Sequence, residues 1–496
     1  MNTIQHLYAE NIISRSANER NQRLGFCVAV ENRAYDKRVE IHWGTRDGVW
    51  RVLPANFART CGTRHEVWEA EVHFLSGADD NGLPGDIFFA ARATMMGADY
   101  WDSNQGDNYT ILADSGVLVS EAFPLLALKV QTLLRPTDAF LPITVAVHQS
   151  LFPKKVYVRW STDHWRTTYT TECYFWRRHW EKHHASHAQN PNDCGTSIWV
   201  THLPANQAYR IEYAIGCETP ELTVWDNSFG KNYIARHGRL KVLTLNLHCY
   251  QEANQNAKLS IIAKAIDDHD ADIVCLQEVA EPWDNGMIVE EANTAKLIRQ
   301  RSKQPYHLVT DWSHRGFDVY REGCAILSRH EIVMADSGYI SSDRDENSIH
   351  ARKVVMTQIA VPFVGLVNVF SCHLSWWQDG FREQFEALKA WANEKHSSAV
   401  VATLLLGDFN AKTGSEGYLL VTGNGDFEDQ FLKAQRTDAK HKSNPSTLPN
   451  DGRIDFIFLK KSSTLDVKTA KVLFTDADYG QVSDHPGFYA EFEPSP

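Results

Sequence analysis

The sequence lacks any apolar stretch long enough to cross a bilayer. A membrane-spanning helix needs about 20 consecutive apolar residues, and no run in these 496 residues approaches that length. The first segment, Met1 to Ile13, also lacks the basic flank and apolar core of an export leader. We therefore expect a cytoplasmic protein that has no membrane partner.

Paired cysteines are missing as well. The nine cysteines occur singly, and none shows Cys-x-x-Cys spacing. Disulfide and zinc frameworks normally use even, closely spaced sets, so this usage is typical of reduced thiols in a cytosol. Several, such as Cys275 and Cys372, lie in apolar runs and are expected to fill space in the core.

The sequence also has no surplus of basic residues. Its formal net charge is −12, and from His237 onward 36 Asp and Glu oppose 27 Lys and Arg. A protein that holds a nucleic-acid backbone normally presents a basic surface. We therefore expect no nucleic-acid partner.

Aromatic residues are abundant, with 15 Trp in the chain, and the first half contains a repeat. Residues 100–109 (Tyr-Trp-Asp-Ser-Asn-Gln-Gly-Asp-Asn-Tyr) and 224–233 (Val-Trp-Asp-Asn-Ser-Phe-Gly-Lys-Asn-Tyr) have the same Trp-to-Tyr spacing. Short alternating runs between turn residues precede each copy, which favours antiparallel sandwiches. With turn signals at the prolines near 124–142 and at 236–239, we predict two β modules, 1–122 and 123–236.

The Trp-Asp-Asn-x-x-x-x-Asn-Tyr ending resembles family 21 carbohydrate-binding modules and the related glycogen-targeting domains. This resemblance implies immunoglobulin-like sandwiches that bind an α-glucan, since aromatic faces stack on sugar rings and Asn amides bond hydroxyls. The alternative is that the tryptophans are core residues. The sugar-contacting residues expected from the motif are Trp101, Asn104, Asn108 and Tyr109 in the first module, which departs from the pattern at Ser103, and Trp225, Asn227, Asn232 and Tyr233 in the second.

An insert in the second module contains His179, His183, His184 and His187. Histidines at these spacings on a helix suit a metal ion. The alternative is a solvated loop, which is favoured because no acidic or cysteine partner accompanies them.

From Leu240 onward, apolar strands alternate with amphipathic helices, and polar residues stand at six predicted strand ends. The clearest case is the run 404–410, Leu-Leu-Leu-Gly-Asp-Phe-Asn, in which a buried strand stops at Gly-Asp-x-Asn. Packing does not explain so many polar strand ends, so they predict a catalytic site. They are Asn246, Glu278, His373, Asp408 with Asn410, Asp455, and Asp484 with His485.

In this order the motifs resemble the endonuclease/exonuclease/phosphatase superfamily, from Leu240 to Glu493. The resemblance implies a four-layer α/β sandwich of the DNase I type over 237–496. The predicted fold is therefore multidomain, with two all-β immunoglobulin-like sandwiches followed by this domain. It also implies hydrolysis of a phosphoester with Mg²⁺ or Mn²⁺, ions that hard oxygen ligands select over zinc.

The resemblance assigns Glu278 as the principal metal ligand, with Asn246 and Asp484 as nearby or second-site ligands. These are oxygen donors of the kind that divalent cations prefer.

The resemblance also gives catalytic roles to the remaining strand ends. Asp408 positions or deprotonates water, Asn410 holds a phosphate oxygen, and His373 donates to the phosphoryl group. His485, oriented by Asp455, stabilises charge or transfers a proton. The alternative for Asp455 is a simple salt bridge to Arg453.

Three aromatic residues near these ends are expected to bind substrate: Trp376, Trp377 and Tyr250. With the segment 320–323 they resemble the maltose-6′-phosphate phosphatase branch, although Cys249 and Tyr250 leave the sugar preference open. Because aromatic faces suit sugar rings, we expect a phosphomonoesterase for maltose or maltooligosaccharide phosphate or phosphorylated glycogen.

Two other functions remain open. One is a nuclease or other phosphodiesterase of the same superfamily, which the acidic charge opposes. The other is a non-catalytic glycogen-targeting protein, which the complete set of polar strand ends opposes.

Overall fold

The structure is a computed structural model that describes residues 3–77, 82–206, 208–284, 287–423, 426–438 and 452–495. The chain divides into two compact units, Met1–Gly238 and Arg239–Pro496. Within the described ranges, no helix is both long and apolar enough to traverse a membrane.

The N-terminal unit is built almost entirely of strands. One short helix, α1 (His179–His184), lies in the histidine-containing insert. The strands are β1 (Ile4–Arg15), β2 (Glu19–Glu31), β3 (Lys37–Gly44), β4 (Trp50–Pro54), β5 (Asn56–Cys61), β6 (His65–Gly77), β7 (Ile87–Met95), β8 (Ala98–Asp102), β9 (Tyr109–Ile111), β10 (Gly116–Val119), β11 (Leu125–Leu128), β12 (Phe140–His148), β13 (Lys155–Ser161), β14 (Tyr169–Glu172), β15 (Tyr174–Phe175), β16 (Thr196–Pro204), β17 (Arg210–Glu218), β18 (Thr223–Asp226) and β19 (Tyr233–Arg236).

These strands form four antiparallel sheets. Sheet A has the order β10-β1-β2-β6-β5, and sheet B has the order β4-β3-β7-β8 with β9 beside β7. Sheet C has the order β11-β12-β16-β15, and sheet D has the order β14-β13-β17-β18 with β19 beside β17. Sheets A and B come from the first repeat and sheets C and D from the second.

Sheet A is buried on both faces. In β2, Leu24, Phe26 and Val28 lie in the apolar core shared with sheet B, whereas Cys27 and Ala29 lie in the core shared with sheet C. A strand covered on both faces carries apolar residues at consecutive positions. Sheet C likewise packs against sheet D on its other face, so the four sheets stack in the order B, A, C, D.

The histidine insert packs into the core between sheets A and C. Trp180 of α1 is buried there, and His179 is buried beside it. The insert is therefore not simply a solvated loop, although His183 and His187 are exposed. Among the described residues, the side-chain groups placed to share a metal ion do not include these histidines.

The repeated Trp-Asp motif joins the sheets within each repeat. Asp102 accepts hydrogen bonds from the backbone N–H of His6 at 2.6 Å and from the Tyr109 hydroxyl at 2.9 Å. In the second copy, Asp226 accepts from the first strand of sheet C and from the Tyr233 hydroxyl, at 2.9 and 2.6 Å. The repeat therefore has a structural use in both modules.

His6 makes the N-terminal unit sensitive to acid. Its ring is buried against Phe89 and Tyr109, and burial lowers the pKa of the imidazole to about 4. The unfolded chain binds this proton near pH 6.5, so the folded state loses stability as the pH falls from about 6.5 to 4. We expect His6→Phe to reduce the fall in melting temperature between pH 7.5 and 5, measured by circular dichroism. Exposed His73→Phe serves as the control, and an equal effect of both substitutions would contradict the assignment.

The C-terminal unit alternates strands with helices. Its helices are α2 (Gln255–Asp268), α3 (Thr294–Arg301), α4 (Phe381–Lys395), α5 (Glu416–Thr422) and α6 (Gln430–Asp438). Its strands are β20 (Leu240–Asn246), β21 (Ile273–Asp284), β22 (Met287–Ile288), β23 (His307–Gly316), β24 (Tyr320–Ser328), β25 (Glu331–Tyr339), β26 (Lys353–Val361), β27 (Gly365–His373), β28 (Val400–Asp408), β29 (Phe427–Asp429), β30 (Asp455–Lys460), β31 (Leu465–Leu473) and β32 (Gly487–Pro494).

Two mixed sheets form the centre of this unit. One has the order β23-β24-β21-β20-β32-β31 with β22 beside β21, and the other has the order β25-β26-β27-β28-β30-β29. One apolar core lies between the sheets, a second covers the first sheet with α2 and α3, and a third covers the second sheet with α4 and α5. In β28, Leu404 and Leu406 face the other sheet and Leu405 faces the helices. This explains the continuous apolar run.

Candidate active site

Three polar side chains from the second sheet lie in one register row. β27 and β28 are parallel and end together, with His373 opposite Asp408. β28 and β30 are antiparallel, with Asp408 opposite Asp455. Since neighbouring strands are less than 5 Å apart, the register alone brings these three groups into one site.

Gly407 allows β27 and β28 to approach at this edge. Its φ is 141°, and a Cβ atom would lie 2.0 Å from the carbonyl oxygen of Cys372. The glycine in the Gly-Asp-x-Asn motif is therefore required by close backbone approach as well as by its backbone angle.

The first sheet contributes Asn246 and Glu278. A register shift between Leu276 and Val279 interrupts the pairing of β21, and Glu278 adopts a left-handed φ of 48°. Such irregularities redirect a side chain. The Asn246 amide nitrogen donates to Glu278 Oε1 at 2.8 Å and to Asp408 Oδ2 at 3.1 Å, so it connects groups from both sheets.

Glu278, His373 and Asp408 form the acidic centre of the site. His373 Nε2 lies 3.6 Å from Asp408 Oδ2 and 4.0 Å from Glu278 Oε1. The potential ligand atoms of all three lie within 4.8 Å of one another. Burial raises the pKa of Asp408, with neighbouring Asp455 adding to the effect, and burial lowers that of His373. The arrangement is suited to a divalent cation, whose charge would favour the ionised carboxylates.

His485 and Asp455 form a carboxylate–imidazole pair. His485 Nδ1 lies 2.7 Å from Asp455 Oδ2, and its Nε2 lies 3.9 Å from Asp408 Oδ2. Burial opposes protonation of this ring, but the hydrogen bond and charge of Asp455 together with Asp408 raise its pKa to about 10. Nε2 of His485 therefore faces Asp408, and the protonated form of the ring is favoured. The predicted alternative partner of Asp455, Arg453, instead pairs with Asp429.

Asn410 completes the loop after β28. Its backbone N–H donates to Asp408 Oδ1 at 2.8 Å, and its amide nitrogen donates to the carbonyl oxygen of Leu374 at 2.9 Å. A second amide N–H is left for a ligand.

Asp484 lies beside this centre, in a different cluster. Its carboxylate oxygen is 3.6 Å from His248 Nδ1, which also lies 2.8 Å from Glu252 Oε1. His248 and Glu252 were not predicted as site residues. The signal in the sequence that could have found them is a histidine and a glutamate four residues apart just after a strand end. The Asn246 oxygen accepts from the His248 backbone N–H, so its amide is oriented as a donor to the carboxylates.

The site opens into a cleft of about 280 Å³. Trp376 lines it and is 43% exposed. Trp377 instead packs on Phe381, with the Arg382 guanidinium 5.0 Å from its ring centre. The prediction that both tryptophans bind substrate therefore has support only for Trp376.

Tyr250 lies outside the lining of this cleft. Its hydroxyl donates to a backbone carbonyl oxygen at 2.5 Å, and its ring centre lies 5.9 Å from that of Tyr320. Its neighbour Gln251 lines the cleft instead. Glu322, from the segment 320–323, also lines the cleft, although no role was predicted for it. Sequence reasoning missed other lining residues, which follow no motif: His314, Phe317, Ile349 and Arg352.

Of the eight predicted sugar-contacting residues, Trp101, Trp225 and Asn104 are exposed. Trp101 is 46% exposed on the outer face of sheet B, and Trp225 is 41% exposed on the outer face of sheet D. The Arg92 guanidinium lies 5.5 Å from the ring centre of Trp101, and the Arg159 guanidinium lies 5.0 Å from that of Trp225. Trp101 and Trp225 therefore remain available as aromatic contacts.

The tyrosines and asparagines of the motif have structural contacts. Tyr233 is 2% exposed, which does not support a sugar contact, and Tyr109 is half-buried on Phe89. The polar side chains stabilise the loop: Asn104 donates to the carbonyl oxygen of Asn108, Asn227 accepts from Gly230, and Asn232 donates to Glu212.

Gly407→Ala is expected to destabilise the C-terminal unit by about 3 kcal/mol or more, because the new Cβ meets backbone. Gly414→Ala is the matched control, since Gly414 also has positive φ but no atom lies within 4 Å of the added Cβ. The control should cost about 1 kcal/mol. Urea unfolding of the full chain measures both, and equal losses would show that the close approach is not limiting.

Comparison with known proteins agrees with this geometry. The model of the Endonuclease/Exonuclease/phosphatase family matches residues 243–485, and that of the Carbohydrate/starch-binding module (family 21) matches residues 127–236. Residues 243–485 are therefore similar to the endonuclease/exonuclease/phosphatase family, and residues 127–236 are similar to family 21 modules. Members of this family are hydrolases, including phosphatases and nucleases, that generally use divalent metal ions. No curated protein matches the chain.

Solved structures resemble the catalytic half. A family protein from Leptotrichia buccalis is 26% identical, with a TM-score of 0.44, covering 51% of this chain and 99% of that one. The human Nocturnin catalytic domain is 17% identical, with a TM-score of 0.40, covering 52% and 95%. A mannosyl-6-phosphatase from Bacteroides thetaiotaomicron is 16% identical, with a TM-score of 0.37, covering 51% and 99%.

Proposed function

We propose that this protein is a metal-dependent phosphomonoesterase acting on an α-glucan-related sugar phosphate, such as maltose or maltooligosaccharide phosphate or phosphorylated glycogen. The observation that carries the proposal is the meeting of Asn246, Glu278, His373, Asp408 and the Asp455–His485 pair at one cleft with an exposed tryptophan at its side.

The donor set fits Mg²⁺ or Mn²⁺. Glu278 is the proposed principal ligand, with Asp408 and His373 close to it, and Asp484 as a ligand of a neighbouring position. Asn246 acts here by orienting Glu278 and Asp408, although it was predicted as a ligand. A bound cation would neutralise negative charge on the phosphoryl oxygens.

The chain's own groups can then assist hydrolysis. Asp408, held by Asn246 and the Asn410 backbone, positions the attacking water and accepts its proton. His373 and the free amide N–H of Asn410 donate to phosphoryl oxygens. His485, kept protonated by Asp455, stabilises the charge that develops in the transition state.

The sugar preference rests on Trp376 and on the N-terminal unit. The exposed face of Trp376 lies at the cleft, where the alcohol part of the substrate would extend. The family 21 match supports α-glucan binding by the second module. We interpret the chain as three domains, 1–122, 123–236 and 237–496, with two immunoglobulin-like sandwiches before a four-layer catalytic domain.

The sheet order adds a constraint on glucan binding. Trp101 and Trp225 lie on the outer faces of sheets B and D, at opposite ends of the stack B, A, C, D. They therefore face away from each other. The two surfaces would therefore bind separate glucan chains and could not hold one short glucan segment between them. Each bound chain would raise the local concentration of polymer for the linked phosphatase domain.

The catalytic proposal is tested by phosphate release from maltose 6-phosphate and glucose 6-phosphate, with DNA and bis(p-nitrophenyl) phosphate as diesters. With Mg²⁺ present, we expect kcat/KM for maltose 6-phosphate to exceed that for each diester at least about tenfold. A chelator should abolish the activity. Glu278→Gln should lower kcat about 1,000-fold and remove cation-induced thermal stabilisation. Exposed Glu331→Gln is the control. Faster hydrolysis of DNA or the diester would favour the nuclease alternative. No hydrolysis of any ester would favour a non-catalytic targeting protein, and full activity of Glu278→Gln would refute the role of Glu278.

The glucan proposal is tested with Trp101→Ala, Trp225→Ala and the double variant of the full chain. Each single variant should weaken retention in glycogen-containing native gels about tenfold, since one stacking contact is lost. Each should also abolish the turbidity that develops when the protein cross-links glycogen, because cross-linking requires both tryptophan-bearing faces. Phe152→Ala, an exposed residue outside the motif, is the control. Unchanged retention of the double variant would refute the proposed binding surfaces.

A further inference from the structure

Arg352 lies at the candidate active site but takes no part in the hydrolysis steps proposed above. It lies just before β26 and lines the same cleft as His373 and Asp408. Its backbone is fixed on both sides: the N–H donates to Ser341 Oγ at 2.8 Å, and the carbonyl oxygen accepts from the Ile340 N–H at 2.9 Å. The guanidinium therefore projects from an anchored point.

The charge of Arg352 is not used by an ion pair. Its Nε donates to Ser375 Oγ at 3.4 Å, and its Nη1 lies 3.3 Å from His373 Nδ1. In the part of the chain that the structure describes, no carboxylate lies within ion-pair distance of this guanidinium. By contrast, Arg321 pairs with Glu281 at 2.7 Å, and Arg453 pairs with Asp429.

The surroundings make an unpaired arginine unusual. Glu278, Glu322 and Asp408 also line the cleft. Arg352 is the one arginine or lysine among the described lining residues. A cation that faces acidic neighbours without contacting them is available to an anionic ligand.

The contact with His373 also defines a tautomer. A guanidinium only donates hydrogen bonds, so His373 Nδ1 must accept, and a neutral ring then carries its proton on Nε2. That nitrogen faces Asp408 and Glu278, at 3.6 and 4.0 Å. Arg352 thereby orients the Nε2–H towards the acidic centre of the site.

We propose that Arg352 binds the terminal phosphoryl group and gives the site its preference for phosphomonoesters over phosphodiesters. A monoester has three non-bridging oxygens and up to two negative charges, whereas a diester has two such oxygens and one charge. The planar guanidinium fork matches two of these oxygens at once. This inference rests on the proposed phosphatase function and names the feature of the substrate that the site recognises.

The test uses p-nitrophenyl phosphate and bis(p-nitrophenyl) phosphate, which share a leaving group. In the full chain with Mg²⁺, Arg352→Gln should lower kcat/KM for the monoester about 100-fold, with a marked rise in KM, because a charge-assisted bidentate contact is lost. The diester should change less than about threefold, since it makes less use of the fork. Arg352→Lys keeps the charge without the fork and should lose about tenfold on the monoester.

Arg315→Gln is the matched control, because Arg315 lies on β23 and pairs with Glu346 outside the cleft lining. It should leave both activities unchanged. Circular dichroism checks that each variant is folded. If Arg352→Gln does not fold, the comparison of Arg352→Lys with wild type provides the test. An unchanged monoester-to-diester ratio in the folded variant would overturn the assignment.

Binding of inorganic phosphate, measured by calorimetry, separates this inference from the proposed function. Arg352→Gln should weaken phosphate binding at least about 30-fold. If the wild-type chain hydrolyses no monoester but loses phosphate binding on substitution, the phosphatase proposal fails and Arg352 remains the anion-binding residue. Equal phosphate affinity of wild type and variant would refute the role of Arg352.

Discussion

The candidate active site depends on holding two carboxylates close together. Glu278 and Asp408 come from different sheets, and the Asn246 amide donates to both. One neutral donor only partly offsets the repulsion between the buried Asp408 and the half-buried Glu278. Burial and the charge of Asp455 raise the pKa of Asp408, and a divalent cation bound here would favour its ionised form. The repulsion between these carboxylates therefore affects both the local structure and the proposed chemistry.

The same constraint explains why irregular backbone gathers here. Gly407 allows close approach of β27 and β28, and Glu278 takes a left-handed conformation at an interruption of strand pairing. Regular strands would direct these side chains into the sheet faces. Packing on both sides of each sheet holds these departures in place.

Local patterns made much of the catalytic half predictable. The run ending at Asp408 is a strand because it is apolar throughout, and α4 covers the predicted helix, Phe381 to Lys395. The polar residues at the strand ends could be recognised in the sequence because each follows such an apolar run. Arg352 was not, since no motif surrounds it and its importance lies in having no ion-pair partner among the residues that the structure describes. Trp376 and Trp377 are adjacent in sequence, and only the packing of α4 distinguishes the exposed ring from the covered one.

The sequence by itself determined which chemical groups are present, at which strand ends, and that two related β modules precede them. These are consequences of residue type and periodicity, which act over a few neighbouring positions. Only the tertiary structure decided that sheets A and C share an apolar core, that Tyr233 is buried, and that Asn246 connects Glu278 to Asp408. Such relations join residues far apart in the chain, and they arise from which faces pack together.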